Sequence, residues 1–236
     1  DGIYKRSEKG GGAWSFPGKV PESWTVSRNG LTFKIKPMGF KHTGLFPEQA
    51  ANWDWAGSLV KSAQRPGKVL NLFGYTGGAT VALAQAGASV VHVDAAKNMV
   101  AQGKENLALS ALADKPVRWI VDDCRKFVER EIRRGNKYDG IIMDPPSYGR
   151  GPNGQIWKLE DELYPFASLC INLLSDNPLF ILINSYTTGL QPLVLYNILS
   201  RLTKSLGGKV DAQEAGLPVT RGGVILPCGA SGRWSR

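Results

Sequence analysis

Cysteine is scarce in this chain: Cys124, Cys170 and Cys228 are the three in 236 residues, odd in number and far apart, which argues against a disulfide framework. Histidine is scarcer still, with two residues, and no CxxC spacing occurs, so no metal site is expected. No run of about 18 apolar residues is present, so no membrane span or membrane partner is expected. The opening DGIYKRSEKGGG lacks the apolar stretch of a secretory signal, and a cytoplasmic protein is the resulting expectation. Internal repeats and low-complexity segments are missing too. Acidic residues run short, 20 against 29 Lys and Arg, leaving a net charge of +9. The excess lies at the ends. Residues 1–42 hold eight Lys or Arg against Asp1, Glu8 and Glu22, and the last twenty residues hold Arg221, Arg233 and Arg236 with no acid. Such a distribution serves solubility, or it is the electrostatic footprint of a phosphate backbone.

A hydrophobic content of 42% is enough for a real core in one α/β domain with a smaller appendage. Residues 1–50 read as a small β-rich region and residues 51–236 as the main domain. In the first, Leu31, Phe33 and Ile35 alternate with Thr32, Lys34 and Lys36, a half-buried strand entered through a turn at Arg28-Asn29-Gly30. Trp14, Phe16 and Trp24 are expected to form its core rather than base-stacking platforms. From residue 47 the spacing of Ala51, Trp55, Leu59 and Val60 predicts a helix. Strands are then predicted at 69–73, 89–93, 117–121, 138–143 and 179–184, alternating with helices at 79–86, 97–113, 125–134, 159–174 and 192–206. Two further strand candidates lie at 209–213 and 223–226. That rhythm predicts an α/β fold with a parallel, doubly wound sheet.

In such a sheet, ligands bind beyond the carboxyl ends of the strands. Four features fall there: the glycine turn in KVLNLFGYTGG (68–78), Asp94, Asp122-Asp123, and Asp144-Pro145-Pro146. Singly, each has a dull explanation as a helix cap or a turn. Together they fit an adenosine-type ligand, with glycine backbone beneath it, one acid for the ribose hydroxyls and another for the adenine amine. A dinucleotide would favour G-x-G-x-x-G, but Tyr75 and Thr76 separate Gly74 from Gly77, and the sequence DPPSY after the fourth strand favours S-adenosylmethionine.

At this point the chain resembles class I S-adenosylmethionine-dependent methyltransferases. VLNLFGYTGGAT, VHVDAA, DDCRKFV and IIMDPPSYGRGPNGQIWKLE are similar to the ribosomal RNA large-subunit family that includes the 23S cytosine carbon-5 enzymes, over roughly residues 40–205. TGLFPEQAANW resembles the stretch before the first strand in that family. No counterpart of the family's PUA RNA-binding domain is legible. The resemblance implies a Rossmann-like, seven-stranded sheet, S-adenosylmethionine as cofactor, and RNA, ribosomal in origin, as partner. Carried over by position, Phe73, Gly74, Tyr75, Thr76 and Gly77 would line the methionine end of the cofactor, with Gln49 a further contact. Asp94 would take the ribose hydroxyls beside Ala95, and Asp123 and Cys124 would flank the adenine. Asp144, Pro145, Pro146 and Ser147 would face the transferred methyl and the target base, against which Tyr148 could stack. Asn106 is read as structural.

The sequence departs from the cytosine enzymes in one place. A cysteine follows the fifth strand there, whereas this chain reads Ile183-Asn184-Ser185-Tyr186. Cys170 is expected to be buried, Cys124 to lie beside adenine and Cys228 to sit structurally in a late loop, so carbon-5 chemistry through a thiolate is not presumed. A methyltransferase for a small molecule or protein, an NAD-dependent oxidoreductase and a non-catalytic nucleotide-binding module stay open on sequence grounds.

Overall fold

The computed structural model describes residues 2–7, 11–39, 41–150 and 156–236. Glu8 and Lys9 of the basic opening, and residues 151–155 of the extended DPPSY motif, lie outside the described residues. The chain opens with two antiparallel hairpins, β1 (Ile3–Arg6) with β2 (Gly12–Ser15) and β3 (Trp24–Arg28) with β4 (Leu31–Ile35). Asn29 (φ 50°) and Gly30 (φ 79°) are both left-handed, the geometry whose twist matches a two-residue hairpin.

One face of β4 is buried. Leu31 and Phe33 pack with Trp53, Val81, Ala84 and Leu107, so the alternation legible in the sequence is spent against the helices of the main sheet. The expected tryptophan core does not form. Trp24 is exposed on the outer strand of a two-stranded ribbon that has only one face to cover, and Trp14 stacks on Phe16 while donating from Nε1 to the Met38 carbonyl at 3.0 Å.

A single 3-10 turn (Pro47–Gln49) leads into α1 (Ala50–Ser62). Then follow β5 (Lys68–Leu72), α2 (Gly78–Gln85), β6 (Ser89–Asp94), α3 (Lys97–Leu109), β7 (Val117–Val121), α4 (Cys124–Arg133) and β8 (Gly140–Met143). A short hairpin, β9 (Tyr148–Arg150) with β10 (Ile156–Lys158), precedes α5 (Leu159–Ile171), β11 (Phe180–Ser185), α6 (Pro192–Leu202), β12 (Lys209–Pro218) and β13 (Ile225–Ser235). The seven-stranded sheet has the order β12-β13-β11-β8-β5-β6-β7. Strands β5 to β8 and β11 run parallel, while β13 is antiparallel to both its neighbours.

The last strand differs from its expected position, residues 223–226. It starts at Ile225 and runs to Ser235 through Gly229-Ala230-Ser231-Gly232, a run with little β propensity. Close packing explains it: a Cβ at Gly232 would lie 2.7 Å from Leu195 Cβ of α6.

Both faces of the sheet are covered, and Leu70, Leu72, Val93, Ile141, Met143 and Ile183 are wholly or almost wholly buried. The chain travels outward from β5 to β7, then returns to β8 on the other side of β5. The carboxyl ends of β5 and β8 therefore flank the crevice at which the strand order reverses.

Candidate active site

The glycine turn after β5 is strained, and glycine is not the residue that bears most of the strain. Phe73 (φ 55°) and Tyr75 (φ 49°) are left-handed together with Gly77 (φ 79°), at a cost of about 1–3 kcal/mol for each non-glycine. Surrounding bonds hold them there. Gly74 N–H donates to the Val93 carbonyl (3.0 Å), Tyr75 N–H to Asp94 Oδ2 (2.9 Å), and Phe73 N–H to Cys124 Sγ (3.3 Å). Asn106, fully buried, donates to the Thr76 carbonyl (2.8 Å) and accepts from Lys34 N–H (2.9 Å), tying the turn to β4.

Gly74 is required for a different reason, close approach. A Cβ there would stand 2.4–3.0 Å from three atoms of the His92 ring beneath it. His92 is completely buried, and burial pushes its pKa down to about 3, so the ring is neutral. Asn71 donates to Thr80 Oγ1 (2.9 Å), and the Thr80 hydroxyl shares a hydrogen bond with His92 Nδ1 at 2.9 Å. Among the described residues, His92 Nε2 has no hydrogen-bond partner.

The turn forms one wall of a cleft open to solvent, which Gln49, Phe73, Gly74, Tyr75, Thr76 and Asp144 of the expected residues help to line. Helix α2 begins there with Gly77 as its N-cap, so no side chain occupies its first-turn N–H groups and an anionic ligand end can take them. Asp94 sits across the turn at the end of β6. Its two oxygens accept from Tyr75 and Ala96 N–H (2.8 Å for the latter), and each keeps a lone pair for a hydroxyl; Ala95 beside it is exposed. Asp123 is exposed and caps α4 by accepting from Lys126 N–H at 2.9 Å, while Asp122 pairs with Arg130. Cys124 is buried, its thiol turned under Phe73 rather than outward, and burial raises its pKa well above the ordinary value.

The DPPS segment is clasped from three sides. Trp157 Nε1 donates to the Pro146 carbonyl (2.7 Å), Leu159 N–H to the Ser147 carbonyl (3.0 Å), and Thr187 Oγ1 to Ser147 Oγ (2.7 Å). Pro145 is buried, Pro146 and Ser147 are exposed, and Tyr148 is half exposed at the start of β9. Asp144 is half-buried in the cleft. Burial, reinforced by the nearby Glu48 carboxylate, raises its carboxyl to about 7.

Several neighbours were not singled out in the sequence. Phe46 packs on Tyr75 (5.4 Å) and on Tyr186 (5.5 Å), forming an aromatic wall between the turn and the end of β11. Asn52 of α1 donates to Gln49 Oε1 (2.7 Å) and Ser231 Oγ (2.8 Å), and accepts from Arg233 Nε (2.9 Å). Asn and Gln in an otherwise apolar helical run were the available signal. Cys170 is buried and Cys228, which lies within β13 rather than in a loop, is half-buried; burial raises both thiols, and Glu48 raises Cys228 further. Among the described residues, no three His, Cys, Asp or Glu side chains group as a metal site, and no helix is long and apolar enough to cross a membrane.

Comparison with known proteins agrees with this architecture. The family model "S-adenosylmethionine-dependent methyltransferase" matches residues 5–189. A crystal structure of an S-adenosylmethionine-dependent methyltransferase from Agrobacterium tumefaciens superposes with a TM-score of 0.92 at 38% identity, covering 100% of this chain and 77% of that one. The ribosomal RNA large subunit methyltransferase K/L of Shewanella sp. (strain MR-4) is 32% identical over 63% of this chain and 21% of its own length. Its namesake from Shewanella baltica (strain OS155) is 36% identical over 50% of this chain and 16% of its own. The chain thus spans about a fifth of the length of these curated relatives. With a matching family model over most of its length and this site at the sheet's switch point, the chain belongs to the S-adenosylmethionine-dependent methyltransferase family.

Proposed function

We propose that this protein is a cytoplasmic enzyme that methylates a base of ribosomal RNA, at a ring or exocyclic nitrogen. The observation that carries this reading is the placement of Asp144 in the same cleft as the glycine turn. S-adenosylmethionine, when bound, supplies an electrophilic methyl group, so the chain's own work is to orient, to exclude water and to manage one proton. The first turn of α2 and residues 73–77 would hold the methionine end, and Asp94 the ribose. Asp123 at the end of β7 would face the adenine, with Cys124 supporting the turn from below. An exocyclic amine that gains a methyl must shed a proton, and the Asp144 carboxylate and Pro145 carbonyl would be the acceptors beside it, whereas a ring nitrogen needs positioning alone.

Carbon-5 of cytosine would need a thiolate, and burial disfavours the thiolate at all three cysteines. RNA as acceptor is supported by the basic ends and by the names of the curated relatives. Residues 1–50 would be the appendage that presents the basic opening. Tyr148, half exposed on β9, would stack on a flipped base.

Mass spectrometry of nucleosides from ribosomal RNA of a deletion strain, before and after incubation with protein and cofactor, tests the reading. One base should gain a methyl group. No gain, with transfer to a protein or small molecule instead, would overturn RNA as acceptor; tight calorimetric binding of NAD but not S-adenosylhomocysteine would overturn methyl transfer itself.

A further inference from the structure

Asn184 is buried at the carboxyl end of β11, and the mechanism above gives it no part. Ile183 pairs with Met143 of the parallel strand β8, so Asn184 leaves the sheet beside Asp144, and both line the cleft. The strand order puts Asn184 on the far side of Asp144 from the glycine turn, which follows β5. That is the side left for the methyl acceptor.

The direction of the Asn184 amide is fixed from behind. Arg233, whose guanidinium stacks over the Trp55 ring at 5.2 Å, carries donors only, and its Nε (2.9 Å) and Nη2 both meet Asn52 Oδ1. Asn52 must therefore turn Nδ2 the other way, toward Gln49 Oε1 (2.7 Å), Ser231 Oγ (2.8 Å) and Asn184 Oδ1 (3.1 Å). The Ser231 hydroxyl, accepting from Asn52, donates its own proton to Asn184 Oδ1 at 2.9 Å. A flipped Asn184 would set two NH2 groups 3.1 Å apart.

With the oxygen held in this way, Nδ2 faces away from the chain of amides. It makes no hydrogen bond to a described residue. Nor is it walled in: among the described residues, the one fully enclosed side-chain nitrogen or oxygen without a partner is His92 Nε2. The open space beside Asn184 is the cleft. A donor held in one direction at the wall of a cleft recognises a hydrogen-bond acceptor on whatever enters.

We propose that Asn184 is a specificity-determining residue for the methyl acceptor: its Nδ2–H donates to a ring nitrogen or carbonyl oxygen of the base, next to the atom that meets Asp144. A base with an N–H at that point is rejected, since two donors would then face each other. The inference rests on the reading of the acceptor as a nucleic-acid base, and Asn184 itself takes no part in bond making.

The test is a side-chain amide ¹⁵N–¹H NMR titration of the full chain with S-adenosylhomocysteine bound, the Asn184 pair being assigned through Asn184→Asp. Cytidine, adenosine, guanosine and uridine are added in turn at millimolar concentration. At least one should move the Asn184 pair, and removing one ring nitrogen or carbonyl oxygen from that nucleoside should weaken its binding about tenfold. Asn184→Asp keeps the oxygen that Asn52 and Ser231 hold but turns the outward donor into an acceptor, so it should abolish that preference. Asn184→Ala should abolish it too and serves if Asn184→Asp does not fold; a merely structural residue would change stability and leave the preference intact. An Asn184 pair that no nucleoside moves, including one that moves on binding S-adenosylhomocysteine alone, or a preference unchanged in the variants, overturns the proposal. Methylated RNA with an unmoved Asn184 pair would overturn this proposal alone, whereas a moved pair without methylated RNA would overturn the ribosomal RNA reading alone.

Discussion

Replacing Gly74 with alanine would place a methyl group 2.4 Å, 2.5 Å and 3.0 Å from three atoms of the His92 ring, where ordinary contacts begin near 3.4 Å. The ring cannot swing aside. It is fully buried, bonded to Thr80 and packed on Trp119 with centroids 4.6 Å apart. Overpacking of this kind costs about 1–3 kcal/mol, which for a chain of this size lowers the melting temperature by roughly 2–12 °C. Some of the cost falls on the strained turn itself, whose displacement should weaken S-adenosylhomocysteine binding at least about tenfold by calorimetry. His92→Ala is destabilising alone, because it opens a cavity and removes the hydrogen bond to the Thr80 hydroxyl, but it makes room for the new methyl. The double variant Gly74→Ala, His92→Ala should therefore be more stable than the two single losses predict, with a coupling of about 1 kcal/mol or more. Simple additivity in thermal unfolding, or undiminished cofactor binding in Gly74→Ala, would refute the packing account of this glycine.

Asp144→Asn should reduce the rate of methyl transfer by about 10²–10⁴-fold while leaving S-adenosylhomocysteine affinity nearly unchanged, as read by single-turnover kinetics and calorimetry. The same variant has a stability signature whose sign follows from linkage: a carboxyl raised to about 7 in the fold favours folding below its unfolded pKa, and that contribution is lost as pH rises through 7. Asp144→Asn should accordingly melt higher than the wild type at pH 8, with the difference shrinking toward pH 5 in paired thermal scans. Cys228→Ala should retain full activity in a methyl-incorporation assay, since burial and the Glu48 charge hold its thiol protonated; lost activity with folding intact would restore a covalent route. RNA affinity, measured by filter binding, should fall linearly on logarithmic axes with salt concentration if the basic ends contact phosphates, and a flat response would leave them to solubility.

How the chain could be read in advance depended on whether a feature was local. The glycine turn, Asp94 and DPPS were legible because each is a short segment whose residue types follow from a strand end meeting a helix. The β4 alternation was legible too, but its partner was not: Leu31 and Phe33 cover helices of the main sheet, a pairing that depends on residues 20 to 76 positions away. Cys124 illustrates the converse. The sequence sets it just beyond β7, at the start of a helix, yet only the fold shows that the thiol accepts from Phe73 and turns away from open space.

Sequence alone determined the class of sheet, the position of the crevice and the kind of ligand that fits it, because strand periodicity, left-handed turns and strand-end acids are properties of near neighbours in the chain. Tertiary structure decided the rest. That β13 inserts antiparallel through a run of small residues, that His92 fills the space beneath Gly74, and that Gln49 reaches the Tyr186 hydroxyl are outcomes of packing between residues as much as 137 positions apart, for which no local pattern exists.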